Sequence, residues 1–137
     1  MKKIKTFIIA MSIILISGTI SASASQYAQL MSYNGTGIWS KSSNSTFSLG
    51  NSNNTIYTYH TTVSVTGGSE SKLHVKVMKK NWLGSYSTEK ADHIASGKGS
   101  WTWTDTVGSG DYRLRFERDD YSSGTFNISG YVIGPTY

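Results

Sequence analysis

Gly110-Asp111-Tyr112-Arg113-Leu114-Arg115-Phe116-Glu117 alternates apolar and charged side chains at almost every step. A period of two places Tyr112, Leu114 and Phe116 on one face of an extended segment and Arg113, Arg115 and Glu117 on the other. The same reading applies to Leu73, Val75 and Val77 against His74, Lys76 and Met78, and to Trp101 and Trp103 against Thr102 and Thr104. Phe126, Ile128 and Val132 alternate with Asn127, Ser129 and Tyr131, and Gly130 takes an inward slot. Tyr57, Tyr59, Thr61, Val63 and Val65 share one face of a long candidate strand. Shorter runs occupy 26–33, 37–40 and 46–49; residues 82–87 predict a short strand and 88–96 a loop. Asn34-Gly35 and the loop-like stretches 50–54, 67–69, 97–99 and 108–110 predict turns. No apolar series has helical spacing, and the abundant Gly, Ser, Thr and Asn are poor helix formers. The expectation is an all-β chain: a single antiparallel two-sheet β-sandwich, jelly-roll-like or Ig-like, of seven or eight strands and without a disulfide. A closed barrel is the main alternative.

The N-terminus reads differently. Met1 to Lys5 is basic, residues 7–16 are apolar, and Ala22-Ser23-Ala24 offers small residues to a signal peptidase. Residues 1–24 are therefore read as a signal peptide cleaved before Ser25, and 25–137 as one domain. The 137-residue chain has a formal net charge of +5 and no cysteine. Three of its lysines lie in the leader, which leaves a net charge of +2 on residues 25–137. That balance argues against a nucleic-acid partner. A cysteine-free exported chain suggests secretion from a Gram-positive bacterium, without a sorting tail or stable membrane insertion.

Residues 73–132 resemble the bacterial pre-peptidase C-terminal domain family, small sandwiches that accompany secreted peptidases. The resemblance rests on Leu73-His74-Val75-Lys76-Val77, on Gly110-Asp111-Tyr112-Arg113-Leu114-Arg115-Phe116 and on Ser123-Gly124-Thr125-Phe126-Asn127-Ile128. It implies a secreted β-sandwich. The family's Asp-rich strand is replaced here by His74 and Lys76, and the chain carries no peptidase domain.

Motifs for catalysis are missing. The sequence has no Gly-x-Ser-x-Gly elbow, no His-Glu-x-x-His and no thiol. Its three glutamates, Glu70, Glu89 and Glu117, give little basis for a glycosidase pair. Asp105, Asp111, Asp119 and Asp120 could gather around calcium, but their spacing matches no EF-hand loop and Arg118 can neutralise the Asp119-Asp120 pair. The expectation is no catalytic residue, no metal and no cofactor.

Two features point to binding. If the strands carrying them pair, Lys72, His74 and Lys76 join Arg113 and Arg115 in a basic ridge suited to anionic wall polymers. Aromatics are the second feature: residues 25–137 hold nine Tyr, four Trp and three Phe. Trp101 and Trp103 are read as core or as a sugar-stacking pair. Trp82, Tyr86 and Tyr121 fall in loop-like contexts and form a candidate ligand rim.

These features favour a secreted, non-catalytic sandwich that binds an extracellular glycan or cell-wall polymer. One alternative is an antibacterial antagonist or protease inhibitor, with residues 55–65 as the candidate amphipathic hairpin. Another is a matrix or coat protein that assembles through 55–66 and 124–134 as edge strands.

Overall fold

The computed structural model describes residues 26–67, 71–119 and 124–136. The leader and its cleavage point, Glu70, Asp120 and Tyr121 lie outside the described residues. Nine strands follow in order: β1 (Gln26–Ile38), β2 (Ser40–Ser42), β3 (Phe47–Leu49), β4 (Asn54–Thr66), β5 (Lys72–Lys80), β6 (Tyr86–Ser96), β7 (Gly99–Val107), β8 (Gly110–Arg118) and β9 (Thr125–Thr136). They build two antiparallel sheets, β1-β9-β4-β7 and β2-β8-β5-β6, with β3 also paired to β8. The pairings are nested: β1 with β9, β2 and β3 with β8, β4 with β7, β5 with β6. Counting β2 and β3 as one interrupted strand gives the eight strands of a jelly roll.

The alternating patterns fill the space between the sheets. Leu73, Val75 and Val77 lie beside Tyr112, Leu114 and Phe116 on the inner face of the paired strands β5 and β8, and Ile56, Phe126, Ile128 and Val132 close the core from the other sheet. Burial of such side chains contributes about 1.5–3 kcal/mol each. Phe47 stacks on Tyr112 at 5.5 Å between ring centres, and the Tyr112 hydroxyl donates to the Gly108 carbonyl at 2.8 Å.

Four expectations need correction. First, residues 81–85 form a turn, and 88–96 belong to strand β6. Gly84 adopts φ 90°, the left-handed conformation that lets the chain reverse between β5 and β6. Strand β6 hides from hydropathy because it is an edge strand with mostly exposed side chains. Second, Asn34-Gly35 is no turn: β1 runs through it, paired to Ser129 and Ile128, and absorbs the irregularity as a bulge before Ile38. Third, the shared face of β4 stops short of Val65: Tyr57, Tyr59, Thr61 and Val63 do share the outward face, opposite the buried Asn54, Ile56, Thr58, His60 and Thr62. A register shift between Thr62 and Ser64 then turns Val65 back toward the core. Fourth, β4 and β9 lie inside their sheet with partners on both sides, so neither is an open edge.

Candidate functional site

One transverse row of the β1-β9-β4-β7 sheet carries the least ordinary chemistry. Register aligns Tyr33 with Gly130, Gly130 with His60, and His60 with Trp101. Gly130 has no side chain, and that opens the row. A Cβ there would collide with the Tyr33 hydroxyl and the Tyr59 carbonyl. Tyr33 lies across the gap, and its hydroxyl meets His60 Nδ1 at 2.8 Å. His60 Nε2 meets Thr62 Oγ1 at 3.1 Å. Both ring nitrogens are thus engaged, and two hydroxyl partners can serve either tautomer. Burial holds the imidazole neutral, lowering its pKa to about 4. Burial also pushes the Tyr33 phenol above its ordinary value.

Rings continue this row between the sheets. Tyr33 packs on Phe116 at 4.9 Å; His60 neighbours Trp101 at 5.9 Å and Trp103 at 5.6 Å. Trp103 lies parallel to His93 at 4.8 Å, and His93 Nε2 meets Asp105 Oδ2 at 2.8 Å. The last contact joins β6 to β7, the edge strands of the two sheets. Trp101 and Trp103 therefore both face inward. Trp103 packs against the core, whereas Trp101 stays half-buried beside open space.

That space is a half-open cleft of about 560 Å3. Tyr33, His60, Trp101, Ile38, Phe116 and Ile128 line its interior, and the polar segment Lys41-Ser42-Ser43-Asn44-Ser45 forms another wall. Tyr59, Tyr131, Asn34 and Ser129 also border it. The segment between β2 and β3 is held in place: Ser43 N donates to the Leu114 carbonyl at 2.8 Å, and Ser43 Oγ accepts from Leu114 N at 3.1 Å. Lys41 is the one charged side chain among the described lining residues, and none of them is Asp or Glu.

The residues singled out by sequence are placed elsewhere. β5 and β8 pair, so the basic row on the outer face does assemble, with Lys76 opposite Arg115. It is interleaved with acid. Lys76 Nζ reaches Glu117 at 3.2 Å and Glu89 at 3.4 Å; Arg115 Nε donates to Glu117 at 2.8 Å. Arg115 also donates to Ser40 at 2.8 Å. Desolvation alone would lower the Lys76 pKa, but Glu117 and Glu89 outweigh it and raise it; Arg115, with Lys76, holds Glu117 below the ordinary carboxylate value. Lys72 is exposed at the start of β5. Arg113 lies over the Tyr86 ring at 4.4 Å, which covers one face of that tyrosine. Trp82 is 91% exposed at the β5–β6 turn. Tyr121 is outside the described residues.

His74 meets Asp92 at 2.9 Å on the outer face. Among the described residues, no group of three or more His, Cys, Asp or Glu is arranged to hold a metal ion.

Tyr33, His60 and the Lys41–Ser45 wall escaped the sequence reading. The available signal was the inward phase of Gly130, which leaves a gap on a face otherwise filled by large residues.

No protein-family model matches the chain, and no curated protein matches it.

Proposed function

We propose that the protein is a secreted, non-catalytic sandwich that binds an extracellular glycan or cell-wall polymer, and that the cleft beside Trp101 receives its sugar units. The observation that carries this reading is the pairing of aromatic surface with hydroxyl and amide groups in one opening. Tyr33 and Trp101 supply apolar ring faces, and Asn44 and Ser45 supply short polar side chains. Sugar rings present the same combination, with C–H faces for stacking and hydroxyls at the rim. The volume of about 560 Å3 lies within the range of small-ligand sites. The cleft lining offers no carboxylate pair among the described residues, which favours recognition over the two-carboxylate route of sugar hydrolysis. Lys41 at the border adds attraction for acidic or phosphorylated polymers.

The outer basic row of β5 and β8 supports the reading less directly, because Glu117 and Glu89 occupy its lysine and arginine partners. The resemblance to accessory domains of secreted peptidases fits an exported binding role. Titration with wall-derived saccharides, followed by Trp emission, tests the proposal. Wild-type protein is expected to respond, and Trp101→Ala to lose most of the affinity. A full response in Trp101→Ala would place binding outside the cleft.

A further inference from the structure

The β5–β6 turn is built to keep two apolar side chains in water. Trp82 is 91% exposed and Leu83 69% exposed, yet the turn beneath them is tightly fixed. Five hydrogen bonds converge on Asn81. Its N–H donates to the Ser85 carbonyl at 2.7 Å, and its carbonyl accepts from Gly84 N at 3.0 Å. Its Oδ1 accepts from Leu83 N and Ser85 N, each at 3.0 Å, and its Nδ2 donates to Ser87 Oγ at 2.9 Å. Gly84 at φ 90° completes the reversal. Leaving a Trp and a Leu in water on a rigid turn forgoes burial that the fold could have used.

The charge around the turn is positive. Lys79 and Lys80 close β5 immediately before it, Lys90 is exposed on β6, and Arg113 lies over Tyr86. Glu89 is drawn toward Lys76, and Asp111 accepts a hydrogen bond from Ser48. Two side chains on a narrow tip are far too little for a stable protein interface, which buries about 800 Å2 on each partner. They are the right size to enter a headgroup layer, where Trp is favoured and neighbouring lysines meet anionic lipid.

We propose that the β5–β6 turn is a membrane-contact wedge: Trp82 and Leu83 insert at the surface of an anionic bilayer while Lys79, Lys80 and Arg113 engage lipid phosphates. The contact is peripheral and spans nothing. It is independent of the cleft, which lies toward the other end of the sandwich, where Lys41 pairs with Phe116 rather than beyond Gly110.

The test uses the chain without residues 1–24, which keeps all nine strands and removes the apolar leader as a second source of lipid affinity. Vesicles of phosphatidylcholine with about one-third phosphatidylglycerol are compared with phosphatidylcholine alone. The wild type is expected to sediment with the anionic vesicles only, less so at high salt, with a blue shift of Trp emission that Trp82→Phe reduces. Leu83→Ala is expected to weaken partitioning about tenfold. Both side chains are exposed, so neither substitution threatens the core. Failure to sediment, equal binding to neutral vesicles, or binding unchanged in both variants would overturn the proposal. So would a Trp82 blue shift produced by soluble wall saccharide and not by vesicles.

Discussion

His60 sits neutral in the interior, and its environment sets a pH dependence. In the unfolded chain an imidazole gains a proton near pH 6.5, whereas the buried ring resists until about pH 4. Between those values the unfolded state binds the extra proton, so stability falls as the pH drops through that window. Fully expressed, the loss is roughly 3 kcal/mol. Urea midpoints between pH 7 and pH 4.5 are expected to fall more steeply for the wild type than for His60→Gln; parallel slopes would show that His60 is not the group responsible. Thr58 gives a second expectation. It is 1% exposed, and its hydroxyl meets no hydrogen-bond partner among the described residues. Thr58→Val removes that buried hydroxyl at nearly constant shape and is expected to raise stability by about 1 kcal/mol in chemical denaturation. These residues were poorly legible in the sequence. The β4 run Asn54 to Thr62 has Tyr57, Tyr59 and Thr61 on one parity and Ile56, Thr58, His60 and Thr62 on the other, and neither is apolar enough to mark the inward face. The structure buries the Ile56 parity because His60 and Thr62 find partners inside and Tyr59 can instead stack on Tyr131 at 4.8 Å outside.

Elements differ in how plainly they were written. β5 and β8 were legible in full, because each alternates apolar and charged residues and their partners lie across one core. β6 was not: as an edge strand it gains its place from pairing with β5, and bulges near Val77 and Lys79 disturb its alternation. β1 concealed its length for a related reason, since Asn34-Gly35 imitates a turn while β9 holds it extended. Gly130 in β9 is where element geometry and cleft meet. Gly130→Ala is expected to cost about 1–3 kcal/mol, because the added methyl must displace Tyr33 or the β4 backbone. A thermal melt measures that cost, and the near-ultraviolet dichroism of the aromatic row reports whether Tyr33 has moved. An unchanged melt would mean that the row has slack. The β5–β6 turn has its own expectation: Asn81→Ala removes the side-chain bonds to Leu83, Ser85 and Ser87 and is expected to lower stability by about 1 kcal/mol.

At the scale of the whole molecule, nested pairing turns a chain of mostly polar strands into two covered sheets with one core. The gross architecture was open to sequence reasoning because a two-residue period needs only one buried face to be expressed. The cleft was not, because it arises from strands distant in sequence: Tyr33, Lys41, His60, Trp101 and Gly130 meet only after β1, β2, β4, β7 and β9 are placed. Trp101 links the two levels, since its inward phase was readable and its half-open position was not. The most direct measurement is retention of the chain without residues 1–24 on purified Gram-positive cell walls, before and after removal of teichoic acids, for the wild type and Trp101→Ala. Binding through the cleft predicts that the wild type is retained and that Trp101→Ala is largely lost to the wash; dependence on teichoic acid would then identify which polymer supplies the sugar units. Absence of wild-type retention, or equal retention of Trp101→Ala, would contradict the assignment of the cleft as a glycan site.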